Sequence, residues 1–446
     1  MSSDPSQKQE LPARLRELQT QGVTSVRVVY ADIHGIARGK DTPLSQFAQV
    51  VEHGMGFCAA GLTSGLALSL ASLPTRPAEP TYPDMRVLPV PDTLARLPWE
   101  PGIAWCTSRL DAADEHGAKS PRSILERAVA AYRGLGLTPI TAAELEFYLV
   151  KRDEQGRLTA AESESCMVYT LGDRSDPSGL VREMLRYGNE IGLDVTTAHH
   201  ECGRGQYEIN LNHGEALHSA DRAFLFKYMV KELAARRDLL ATFMGKPFVN
   251  DAGSGFHLHV SLEDERGNRF FDAASPDGLS ALARHFLAGV LEHAPALAAF
   301  CCPTINSYKR LVPGTLVPVV ANWGWDNRTT YIRVAEKNDK STRVELRAAD
   351  AAANPYLVTA ANLFAGLDGV KRRLDPPPPV FDDRIIGRSL PTRLEESLQA
   401  LCEDAYMVEM VGKPLVDAFC AIKSMEAERY GQHVSAWELN EYAWHL

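Results

Sequence analysis

A chain of 446 residues with a net charge of −10, 45% hydrophobic and 23% charged, has the composition of a soluble globular protein large enough for two domains and a sizeable core. The acidic balance argues against a nucleic-acid backbone or an anionic membrane as the main partner, while leaving room for an anionic small substrate beside a local basic cluster. The eight cysteines, at 58, 106, 166, 202, 301, 302, 402 and 420, form no CxxC pair; no signal-peptide core and no membrane-length apolar run is seen, so a reducing, cytoplasmic setting is expected.

After a polar tail, "LPARLRELQTQG" reads as a short amphipathic helix stopped at Gly22, and "TSVRVVYADIHGIARGKDTP" as a strand, a turn at His34-Gly35 and a return strand. A Gly/Ser/Ala-rich stretch and the proline-dense "PTRPAEPTYPDMRVLPVPD" read as irregular chain with short strands, followed by a strand in "GIAWCTSRL". Residues 1–115 therefore make a small, mostly β unit. Ser120-Pro121 starts a helix, "RSILERAVAAYRGLG", that ends in glycine. Beyond it, strands ("TPITAAELEFYLVK", "GQYEINLN", "GFHLHVSL", "TYIRVA", "TRVELRAAD") alternate with helices ("PSGLVREMLRYGNEIG", "ADRAFLFKYMVKELAARRDLLATFM", "ALARHFLAGVLEHAPALAAF"). "DPPPPVFDD" is exposed and proline-stiffened, and a largely helical tail runs from about 390 to 446. The fold class is α+β, with residues 116–446 as the larger unit.

Several of these strands carry charge where a core residue is the default. Glu144 and Glu146 share one strand face while Leu145 and Phe147 take the other, and His257 and His259 are spaced the same way. Glu201 and Glu208 flank a glycine-containing turn, and Glu345 stands between Arg343 and Arg347 at i−2 and i+2. One such strand is an ordinary solvated face; four predict a polar cavity lined by a curved sheet. Glutamates with one histidine suit hard divalent ions, Mg²⁺ or Mn²⁺, better than zinc. Arg310, Arg328, Arg333, Arg343 and Arg347 are numerous enough to hold phosphates and a carboxylate together. The set points to phosphoryl chemistry on an acidic substrate.

In order, "ELEFYLV", "HHECGRGQYEINLN", "GSGFHLHVSL", "NSYKRLVPG", "NRTTYIRV" and "RVELRAADAAANPY" resemble the successive signature segments of the glutamine synthetase family, type I, most like its γ-glutamylpolyamine- and γ-glutamylamine-forming members. The resemblance implies a β-grasp-like N-terminal domain (1–115) and a catalytic domain (116–446) with a curved antiparallel sheet flanked by helices. It implies ATP as co-substrate, glutamate as acceptor through γ-glutamyl phosphate, and Mg²⁺ or Mn²⁺. By the same resemblance Glu146, Glu201 and Glu208 match the ligands of one metal, and Glu144, His257 and Glu345 those of a second. His259, Ser261 and Arg343 match nucleotide contacts; Gly253, Arg310 and Arg347 match positions around the glutamate; Arg328 and Arg333 match phosphate-facing arginines. A homo-oligomer of stacked rings, a dodecamer of two hexamers, is implied as well.

The pattern departs from the family at the amine. Leu316 stands where the flap glutamate closes over ammonium, Cys58 aligns with an aspartate that binds and deprotonates it, and Ala252 replaces an asparagine that touches glutamate. Losing two acids removes attraction for a small cation on the order of several kcal/mol in a desolvated site. An organic amine is therefore the expected nucleophile: polyamines and diamines first, monoamines or an amino alcohol second, ammonia third. The tail "VSAWELNEYAWHL" resembles that of γ-glutamylpolyamine synthetases, and "DPPPPVFDDRIIGRSLPT" occupies the region of the adenylylation segment of many bacterial relatives. Rival readings are a non-catalytic relative, opposed by retention of all six ligand-type residues, and a two-metal hydrolase.

Overall fold

The computed structural model describes residues 5–66, 83–111, 113–161, 167–335, 338 and 340–446. Cys166 and residues 74–82 of the proline-dense stretch lie outside them. A helix, Pro5–Thr20, runs through Pro12 and so begins earlier than its sequence pattern indicates. It precedes a six-stranded sheet built from Ser25–Ala31, Ala37–Pro43, Met55–Cys58, Asp84–Pro89, Ala95–Arg96 and Ile103–Leu110. Ser25–Ala31 pairs antiparallel with its hairpin partner and parallel with Ile103–Leu110. Alternation divides the central strands: Val26, Val28, Ala104 and Cys106 fill a small core with Phe57 and Met85. Trp105, on the other face, packs edge-on against Phe224 and beside Tyr228 of the long helix Ala216–Ala235.

The hairpin turn is tied down by one residue. Asn354 Nδ2 donates to the carbonyls of Asp32 and Ile33, across 322 and 321 positions of chain, while its Oδ1 accepts from Tyr356 N and caps the helix Pro355–Arg372. Gly35, at φ +76°, lies so close that a Cβ there would sit 3.0 Å from Asn354 Cα.

The larger part is a curled, eleven-stranded sheet with helices on its apolar face, as the α+β expectation requires. Its main path runs Trp323–Trp325, Ile332–Val334, Val344–Leu346, Phe256–Asp264, Thr138–Arg152, Gln206–Leu211, Val195–His200. All neighbours on that path are antiparallel except the first pair. Leu145, Phe147, Ile209, Leu258 and Val260 bury one face in a core shared with Pro121–Arg133, Ala216–Ala235 and Pro355–Arg372.

Three expectations are corrected. The helix expected through Met244 ends at Ala235; Asp238 turns at φ 56°, and Leu240–Thr242 is a strand. The helix expected over 281–300 is two, Ala281–Glu292 and Ala294–Cys301, because Pro295 supplies no N–H and starts the second in its first turn. Pro355–Arg372 and the polar strand Val195–His200 were not expected as elements. Among the described residues no helix is long and apolar enough to cross a membrane.

Candidate active site

Strand register assembles the polar face. His257 lies directly across from Glu144, and His259 across from Glu345, which in turn faces Arg333. On the other side of Thr138–Arg152, Glu208 faces Glu146 and, on its second flank, His199. Apart from His199, each of these residues alternates with core residues along its strand, so the rows present their side chains to one side.

Three sets bring potential ligand atoms within 4.8 Å of one another: Glu144, Glu208 and His257; Glu144, His259 and Glu345; and His199, Glu201 and Glu208. His257 Nδ1 is 3.4 Å from Glu144 and 3.8 Å from Glu345, and its Nε2 is 4.0 Å from Glu146. His199 Nε2 is 2.8 Å from Glu201 and 3.8 Å from Glu208. His259 is fully engaged: Arg343 Nε donates to its Nδ1 at 3.0 Å, so its Nε2–H donates to Glu144 at 2.8 Å. That leaves His257 and His199 as the imidazoles with a ring nitrogen to offer a cation.

The electrostatics fit a divalent cation. Burial, followed by the charges of Glu144, Glu146 and Glu201, pushes the Glu208 carboxyl up to about 9. Burial likewise raises Glu146, and the nearby Glu201 charge adds to it. Burial opposes ionisation of Glu144 too, but hydrogen bonds from His257 and His259 outweigh it and hold that carboxyl low. Such crowding of buried carboxylates is costly without a cation, and oxygen-rich sets with one imidazole match Mg²⁺ or Mn²⁺ chemistry. Glu146 belongs to none of the three close sets: Gln206 Nε2 and Gly255 N both donate to its Oε2, at 3.0 and 2.9 Å.

The arginines bracket this floor. Glu345, whose side chain is 1% exposed, binds Arg333 Nη1 at 2.6 Å and also pairs with Arg347. Burial opposes its ionisation, yet the charges of His257, Arg347 and His259 bring its carboxyl down to about 2. Arg333 also reaches Asp326. Arg310 is buried, donates Nη1 to Ala348 O at 3.1 Å, and has a buried Nε without a partner. Two glycines make room beside it. A Cβ on Gly253 would come within 2.7 Å of Arg310 Cγ, and one on Gly255 within 3.0 Å of both Arg310 Nη2 and Glu146 Oε1.

The remaining expected residues are placed as follows. Ser261 is buried on the His257 strand. Arg328 is exposed, and its carbonyl accepts from Arg347 Nε. Ala252 presents its carbonyl to Tyr148 OH at 2.7 Å. Leu316 is 59% exposed in the turn after Arg310, and Cys58 is exposed at the end of its strand in the six-stranded sheet, away from the sheet that carries the carboxylates. Sequence reasoning missed His199, although it opens the segment "HHECGRGQYEINLN", and Gln206, which spans Glu146 and Gly253 O. It also missed Tyr169, at φ 65°, whose ring lies 5.0 Å from that of His199.

Facing rows of carboxylates, imidazoles and arginines on a curled sheet suit proteins that handle divalent cations and phosphate, and comparison with known proteins specifies the family. Residues 118–442 match the family described as "Glutamine synthetase, catalytic domain". A glutamine synthetase of Halobacterium salinarum is 34% identical over 96% of both chains, and a glutamate–methylamine ligase of Methyloversatilis universalis is 36% identical over 98% of this chain and 99% of its own. A solved GmaS/ADP complex superposes with a TM-score of 0.85 at 31% identity, covering 96% of this chain and 99% of that one. The chain belongs to the glutamine synthetase family.

Proposed function

We propose that the protein is an ATP-dependent ligase that joins the γ-carboxylate of glutamate to an organic amine through γ-glutamyl phosphate. The carrying observation is the register-built floor, which sets Glu144, Glu146, Glu208, His257 and Glu345 on facing strand positions, with Glu201 close to Glu208 and Arg333 and Arg347 paired to Glu345. Divalent cations held by those carboxylates would neutralise phosphate charge. The protein's own groups do the rest. Arg310, beside Gly253 and Gly255, holds the glutamate carboxylate; Arg333 and Arg343 orient and screen the phosphates; Arg347 keeps Glu345 ionised. His259 and Ser261 line the nucleotide side.

Leu316 and Cys58 support an organic amine over ammonium, because neither offers the negative charge that would collect and deprotonate a small cation. Polyamines and diamines remain the first reading and monoamines the second; the relative named for methylamine favours the monoamine arm. Assembly into stacked rings, in which Cys58 enters a neighbour's amine pocket, accords with the exposed apolar tail Trp437, Leu439, Trp444 and Leu446. Phosphate release with ATP, Mg²⁺ and glutamate, measured across ammonium, methylamine, ethanolamine, putrescine and spermidine with product masses, tests the reading. A γ-glutamyl adduct of an organic amine with little glutamine is the expected result; efficient use of ammonium alone would overturn it.

A further inference from the structure

Two of the cysteines face each other outside the active site. Cys402, exposed on the helix Leu394–Glu403, and Cys420, half-buried on Lys413–Gly431, bring their Sγ atoms to 3.4 Å, a contact between residues 18 positions apart. The Lys413 ammonium, paired with Asp417 at 2.7 Å, acts electrostatically on both sulfurs. Cys106, Cys301 and Cys302 differ in access, all three being buried. Burial pushes their thiols far up and raises the Cys420 thiol as well, which leaves Cys402 as the exposed sulfur of the pair.

The two helices also hold the chain that enters Arg310. Tyr308 OH donates to Ser397 Oγ on the first helix at 2.5 Å. Lys309 Nζ donates to Tyr430 OH on the second at 3.2 Å and stands 5.4 Å from its ring. Whatever fixes one helix against the other fixes both anchors of residues 308–310.

We propose that Cys402 and Cys420 are a reversible dithiol–disulfide pair whose oxidation staples these helices and stiffens the Arg310 segment. A peroxide is the oxidant. The accessible Cys402 thiolate attacks one peroxide oxygen, breaks the O–O bond and becomes a sulfenic acid as hydroxide leaves. The Cys420 sulfur then attacks the Cys402 sulfur, the S–O bond breaks, and water departs with the Cys420 proton, so two thiols and one peroxide give one disulfide and two waters. The two sulfur atoms, at 3.4 Å, close to about 2.05 Å when they bond.

The test uses the full-length protein, reduced, desalted and exposed to a small excess of hydrogen peroxide before the remaining thiols are alkylated and the peptides weighed. A Cys402–Cys420 cross-linked peptide, about 2 Da lighter than the two thiol peptides and reversed by dithiothreitol, is expected to form about tenfold faster than exposed Cys58 or Cys202 is oxidised. Cys420→Ser should leave a sulfenic acid on Cys402 that dimedone captures. Amide exchange over 306–310 should slow in the oxidised wild type and not in oxidised Cys402→Ser. Over-oxidation of Cys402 with Cys420 still alkylatable, or preferential oxidation elsewhere, overturns the pair. A cross-link that leaves exchange unchanged overturns its coupling to Arg310.

Discussion

Glu208 stands directly across from Glu146 in antiparallel register, two acids on the same side of adjacent strands. Facing buried acids do not both stay ionised: burial first, then the neighbouring acids, push the Glu208 carboxyl up to about 9, so near pH 7 folding has to add a proton there that the unfolded chain does not bind. Glu208→Gln is therefore expected to raise the melting temperature of metal-free protein, by stability on the order of 1 kcal/mol. It should also blunt the further rise that Mg²⁺ or Mn²⁺ produces in the wild type. Thermal denaturation with chelator and with added ion reads both effects; a variant less stable than wild type without metal would count against the crowding.

Glu345 is the opposite case, a buried carboxylate kept ionised by its neighbours. Arg347→Ala removes one of them and leaves Arg333 in place. The expected loss is about 2–3 kcal/mol, below what stranding the charge entirely would give. Arg347→Lys should recover only part, because a single ammonium cannot serve Glu345 and the Arg328 carbonyl together. Denaturant titration of both variants checks the order.

Leu316→Glu restores an acid in the turn after Arg310. The position is largely exposed, so screening limits the gain. The ratio of kcat/KM for ammonium to that for the preferred organic amine should rise about tenfold, or about 1.4 kcal/mol. An unchanged ratio would show that position 316 does not select the nucleophile.

His293, at the junction of two helices, is held between carboxylates: Nδ1 lies 2.6 Å from Asp404 and Nε2 3.0 Å from Asp368, which Arg372 also pairs. Burial would lower its pKa, but both hydrogen bonds to acids outweigh it and raise it. A raised folded-state pKa means that the stabilisation is complete below the ordinary value near 6.5 and fades as pH climbs through the folded one. His293→Gln should therefore cost more stability at pH 6 than at pH 9. Urea midpoints for both proteins at those two pH values decide; an equal difference would mean the imidazolium is not what the fold uses.

How far the site could be read in advance depended on the distance between partners. Glu144 with Glu146, and His257 with His259, were legible because a two-residue period forces one face. That Glu345 meets His259, or that Glu208 meets both Glu146 and His199, depends on pairings between remote strands, which no local pattern encodes. Val195–His200 escaped notice because "VTTAHH" lacks apolar alternation. Pro355–Arg372 is buried nearly all round, so it has no polar stripe to mark its period, although Asn354-Pro355 is a legible helix start. Gln206 acts through a backbone carbonyl 47 positions away, beyond the reach of any motif.

The Asn354 contact with the hairpin turn has a consequence for biosynthesis. The six-stranded sheet is complete once Leu110 has been made, but the amide that seats its turn on the rest of the molecule is added some 322 positions after Asp32. At roughly 5–20 residues per second, the turn of the nascent sheet waits on the order of 10–50 s to be seated, while Trp105 stays uncovered only until Phe224 and Tyr228 have been made. A chaperone that shields the Trp105 face has until the helix that carries them docks in which to act; the hairpin turn stays free for longer, until Asn354 emerges.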